Sequence, residues 1–122
     1  MFTRPAWPLI LLAALAFATP ALGASFNCAD ASHPDEAAIC SDQNLSNMDV
    51  EMATLFRVRM GIPMLMGSRG DAQDEQIAWL TKRHACGNSI ACLSAVYKMR
   101  IEQLNNIIAE AMQDYCVKLG IC

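Results

Sequence analysis

The sequence predicts an all-α fold, a small disulfide-stapled helical domain with three main helices behind a short N-terminal one. Three observations carry that expectation. Apolar residues recur at spacings of three and four along most of the chain, and no segment alternates as a strand would. Helix start and stop signals divide the chain at regular points. Six cysteines, an even number, fall between residues 24 and 122.

The chain opens on a leader. Arg4 gives a positive start, Leu9 to Ala18 is an unbroken apolar run, and Ala21 and Gly23 are small residues at −3 and −1 of a cut before Ala24. Residues 1–23 therefore read as a secretory signal peptide. The apolar run is shorter than the roughly 20 residues of a membrane span. The mature chain, residues 24–122, reads as one exported domain, periplasmic or secreted, in a compartment that permits disulfides.

Pro34 suits the first turn of a short helix reaching about Cys40, because its missing N–H needs no partner there. Asp35 and Glu36 suit the positive end of the helix dipole, and Ser32 or His33 can cap it. After a break at 41–44, Leu45, Met48, Met52, Leu55 and Phe56 mark one face of a helix that stops near Met60, ahead of Gly61 and Pro63. Residues 61–70, with three glycines and a proline, read as a loop. Asp71 to Cys86 is the next helix. Its acids Asp71, Asp74 and Glu75 sit early, and Lys82, Arg83 and His84 sit late. Ile77, Trp79 and Leu80 mark its expected buried stripe. Gly87 stops it, and Asn88 or Ser89 caps the last helix. Leu93, Tyr97, Arg100 or Ile101, Leu104, Ile108, Ala111, Met112 and Tyr115 keep that helix in period to about Cys116.

Six cysteines allow 15 pairings. Local closure is the simplest: Cys28–Cys40, Cys86–Cys92 and Cys116–Cys122. A closed loop of about 15 residues gains roughly 3 kcal/mol in the chain-entropy model, a useful amount for a small core. The spacings lack the C-x2-C of a zinc site and the C-x-x-C of a redox centre. No metal or other cofactor is expected.

Charge separates function classes. The net charge is −3 and the pI about 5.2, against the basic stripe of a nucleic-acid binder. Charged residues are 17% and apolar residues 54%, which excludes a disordered chain. Between residues 24 and 56 lie Asp30, Asp35, Glu36, Asp42, Asp49 and Glu51 and no Lys or Arg, while residues 57–122 carry a net +2. This acidic stretch reads either as a solvated helix face or as a surface that steers a basic partner. Arg69-Gly70-Asp71 and Asn44-Leu45-Ser46 are short motif matches of the kind that arise by chance. Met48, Met52, Met99 and Met112 read as core filler. No acid–base or nucleophile–base pair stands out, so the chain is not expected to be an enzyme. Arg83 is expected to pair with a carboxylate or cap carbonyls, and Tyr97 to pack on Trp79 with its hydroxyl near a polar group.

The run S-F-N-C-x-x-A, then P-x-E-x-x-I-C, L-x-x-M-D, Q-x-A-W-L-x-x-R-x-x-C and C-L-x-x-x-Y-x-x-R-I resembles the N-terminal domain of the LprI-type lysozyme inhibitors, small exported helical proteins of bacteria. The resemblance covers about residues 25–104. It rests on Cys28, Pro34, Glu36, Cys40, Leu45, Asp49, Gln76, Trp79, Leu80, Arg83, Cys86, Cys92, Leu93, Tyr97, Arg100 and Ile101. His33 stands where a capping Ser or Thr is expected, and 105–122, with Cys116 and Cys122, looks like an extension. The resemblance implies a non-catalytic binding protein that inhibits a lysozyme. The alternative is a structural or interaction module of the cell envelope with another partner. For inhibition, Ile62, Met64, Leu65, Met66 and Arg69 form the candidate tip for the enzyme's cleft, and Asp42, Asp49 and Glu51 belong to the candidate acidic surface.

Overall fold

A computed structural model describes residues 23–63 and 66–122, without the Met66 side chain. The expected leader thus lies outside the described residues except for Gly23. The described residues are helical with no strand, and three disulfides staple them. A 3-10 turn at Cys28–Asp30 precedes α1 (Pro34–Ser41), α2 (Gln43–Gly61), α3 (Met66–Ala85) and α4 (Ile90–Leu119).

Each boundary has a local cause. Glu36 Oε2 accepts the backbone N–H groups of Ser32 and His33, at 2.8 and 3.1 Å, and so ties down the entry to α1. Asp42 ends α1 and caps α2, its Oδ1 accepting the Leu45 N–H at 2.9 Å. One residue serves both ends, so α1 and α2 meet at a sharp corner. Ser46 Oγ braces that corner by donating to the Ile39 carbonyl at 2.6 Å, in a fully buried position. Gly87 takes φ +54°, a left-handed conformation that costs glycine little, and Ser89 then caps α4. Gly120, at φ +66°, closes α4 in the same way.

Cys28–Cys40 pins the N-terminal segment to α1, Cys86–Cys92 locks the α3–α4 turn, and Cys116–Cys122 ties back the tail. The local-closure pairing is the one found. The core forms mainly between α2 and α4, with α1 packed on α2 and α3 packed on α4 and α1. Ile39, Leu45, Leu93, Tyr97 and Leu104 are fully buried, with Met52 and Trp79 beside them. Each such aliphatic side chain contributes about 1.5–3 kcal/mol by leaving water. Trp79 and Tyr97 meet edge to face at 5.2 Å, and the indole N–H donates to the Val96 carbonyl at 3.2 Å.

Four sequence expectations need correction. The loop is short: α3 begins at Met66, so Arg69 and Gly70 are helical. Glycine costs a helix only about 1 kcal/mol, a weaker stop than composition suggests. Asp71, Asp74 and Glu75 consequently lie beyond the first turn of α3. Ile77 is 61% exposed, because the inward stripe of α3 is Ala72, Trp79 and Arg83, and Ile77 projects to the other side. Met99 and Met112 are exposed, not core filler: Met99 lies opposite the inward Tyr97–Arg100 stripe, and Met112 lies beyond the end of the core.

Candidate functional site

Two features stand out above the core, a buried polar cluster and an exposed apolar end. The cluster is assembled by all four helices. Arg83, in the last turn of α3, donates from Nε to Asp35 Oδ2 at 2.8 Å. Its Nη1 lies 3.8 Å from Asp49 Oδ1 and its Nη2 the same distance from Glu36 Oε1. Asp35 belongs to the first turn of α1 and Asp49 to α2, and each is 1% exposed. Tyr97 of α4 donates its hydroxyl to Asp49 Oδ1 at 2.8 Å. Burial first, then the neighbouring Asp49 charge, pushes the Tyr97 phenol far above its ordinary range, so it remains a donor. The Arg83 guanidinium also sits about 6 Å from the rings of Phe26 (5.9 Å) and Trp79 (6.0 Å). Asp35 Oδ1 is buried without a hydrogen-bond partner. His84 Nε2 lies 3.6 Å from Asp35 Oδ2, and its ring stacks on His33 at 4.8 Å.

A second cluster joins α2, α3 and α4. Arg59 Nη1 donates to Glu75 Oε2 at 2.6 Å, and Arg100 reaches Gln76 Oε1 at 2.8 Å and Gln103 Oε1 at 2.6 Å. The Arg59 hydrogen bond holds the Glu75 carboxyl below the usual glutamate value. Burial lowers the Arg100 guanidinium, with the nearby Arg59 charge acting in the same direction. Both clusters fix helices to one another through buried arginines, Arg83 in the first and Arg59 and Arg100 in the second.

The apolar end is different. The last turn of α2, the chain at Ile62–Pro63 and the C-terminal half of α4 enclose an open groove of about 560 Å³. Val58, Ile62, Pro63, Met112, Leu119 and Ile121 line it. Tyr115 also lines the groove and donates to the Pro63 carbonyl at 3.1 Å. An adjoining cavity of about 290 Å³ adds Arg59, Ser68, Asp114 and Lys118. Val58, Met112, Leu119 and Ile121, all exposed large apolar residues, share this groove, a concentration that single scattered residues do not produce.

The predicted site residues fall into separate places. Ile62 lines the groove. Met64 and Leu65 lie outside the described residues, as does the side chain of Met66. Arg69 is exposed on the first turns of α3. Asp42 is half-buried and occupied as the α2 cap, while Glu51 is exposed. Asp49 is no surface residue: it is buried against Tyr97, Arg83 and Ser25. Of the six acids before Arg57, Asp35 and Asp49 thus serve the interior. The apolar period of α4 that the sequence follows through Ile108, Ala111, Met112 and Tyr115 leads into this groove, with Met112 exposed. No family model, no curated protein and no solved structure matches this chain.

Proposed function

We propose that this chain is an exported binding protein with no chemistry of its own, and that it inhibits a lysozyme by occlusion, as its resemblance to the LprI-type inhibitors implies. The observation that supports this most is the apolar end of the bundle. The groove between α2 and α4 presents Val58, Met112, Leu119 and Ile121 to solvent. Exposing these residues costs free energy unless a partner covers them. By contrast, Tyr97 is spent donating to Asp49 beneath the surface, and Asp35 is held there by Arg83.

Lysozymes cut glycan with a pair of carboxylates in a cleft. An apolar edge that covers the cleft blocks substrate, and Lys118 in the adjoining cavity supplies a cation for those carboxylates. Burial of Asp35 and Asp49 leaves less acidic surface for steering than the sequence suggests, so apolar contact carries the binding. The same observation favours the second reading, an envelope interaction module whose partner is not lysozyme. Adding the oxidised chain 24–122 to a bacterial suspension with a basic lysozyme separates the two. Slowing of lysis that saturates with added protein supports inhibition, and unchanged clearing leaves the envelope module.

A further inference from the structure

The Arg83 cluster is short of one cation. Asp35 and Asp49 are buried carboxylates, and Arg83 is the one buried guanidinium between them. Glu36, at the edge, adds a further negative charge. His84 approaches Asp35 only from the solvent side, and Arg57, which lines the neighbouring cavity, is exposed and bonded to Thr54 Oγ1 at 3.2 Å. Asp49 turns its free side to the N-terminal segment: its Oδ2 accepts the Ser25 backbone N–H at 2.6 Å. Ala24 is only 7% exposed, and Gly23 stands so close to α2 that an added Cβ would lie 3.1 Å from Ser46 Oγ. The first residues of most domains are loosely held. Here Ala24 and Ser25 line a cavity of about 480 Å³ together with Asp49 and Arg83.

We propose that the α-ammonium of Ala24, created when the leader is removed, is the missing cation, and that processing completes this cluster. The proposal rests on the cut before Ala24. An export peptidase hydrolyses the Gly23–Ala24 amide: water adds its oxygen to the Gly23 carbonyl carbon, which leaves as a carboxylate. The Ala24 nitrogen keeps the bond to its own Cα, gains protons and becomes an ammonium at neutral pH. That nitrogen lies one residue before the Ser25 N–H already bonded to Asp49, and successive Cα atoms are about 3.8 Å apart. Rotation within Ala24 brings the new charge to Asp49 Oδ2. Before the cut the same nitrogen is a neutral amide with one donor. Processing therefore places a charge in the interior without moving a helix, and Ala24 is small enough to remain covered.

The test compares three oxidised chains: residues 24–122 with a free α-amine, the same chain with that amine acetylated, and residues 20–122. Sequencing the N-terminus of exported protein comes first. A start at Ala24 is expected, and a start elsewhere overturns the proposal through the leader reading. Given that start, the free-amine chain melts about 4–8 °C above the acetylated and extended chains. In Asp49→Asn the difference collapses. Should that variant not fold, the Asp49 carboxyl-carbon resonance in the parent reports instead, and it moves on acetylation. Equal melting of free and acetylated chains, or an unmoved Asp49 resonance, overturns the docking while leaving the cut itself standing.

Discussion

Replacing Arg83 by methionine removes the guanidinium, whose carbon lies about 6 Å from the Phe26 and Trp79 rings, and keeps an unbranched apolar stem. Asp35, already with one unpartnered oxygen, then loses its 2.8 Å partner, and Asp49 loses its nearest side-chain cation. Breaking a buried pair from one side costs about 3–5 kcal/mol, because the stranded charge stays buried. A domain of this size holds roughly 5–15 kcal/mol in all. Arg83→Met therefore removes a large part of the total and lowers Tm by on the order of 20 °C. Thermal unfolding followed by far-ultraviolet circular dichroism reads this directly. Adding Asp35→Asn neutralises the stranded carboxyl and recovers much of the loss. An Arg83→Met chain that melts within a few degrees of the parent refutes the cluster as a structural centre.

Three further outcomes follow from the same contacts. Tyr97→Phe deletes the donor to Asp49 Oδ1 and costs about 1–3 kcal/mol, read as a lower urea midpoint; an unchanged midpoint contradicts the bond. Glu75 is held below its usual value of 4.5 by Arg59, so its stabilising contribution is present above that value and is lost as pH falls through the lowered one. The side chain is 44% exposed, so the contribution is under about 1 kcal/mol; Glu75→Gln flattens stability against pH on the acid side by that amount. Gly67→Ala and Gly70→Ala meet no neighbouring atom within 4 Å and sit inside α3, so each raises stability by up to about 1 kcal/mol; a loss in both contradicts a helix starting at Met66.

Much of this fold was legible because its signals are local. Pro34, Gly87 and Ser89 mark helix ends by chemistry that depends on adjacent residues, and the cysteines close nearby loops. The Trp79–Tyr97 contact and a carboxylate for Arg83 were also expected. What was missed depends on tertiary cover. Apolar content alone places Ile77, Met99 and Met112 inside, whereas the neighbouring helices leave them outside. The interior acids had a signal: Asp49 stands four residues after Leu45 and three before Met52, within the apolar stripe of α2. Arg100 stands likewise between Tyr97 and Leu104. A charge on an apolar stripe marks a buried pair, and counting charge by segment hides it. The start of α3 was missed because two glycines outweigh a helix they only weaken.

The proposed function places a lysozyme on the apolar end of the bundle. Its most direct test is the inhibition constant of the oxidised chain 24–122 against a basic lysozyme, compared with that of Val58→Glu/Met112→Glu/Leu119→Glu. All three residues are exposed, so the variant keeps the parent Tm while placing charges on the groove. Inhibition by the parent and its loss in the variant are expected. Equal inhibition by both chains, or none by the parent, contradicts it.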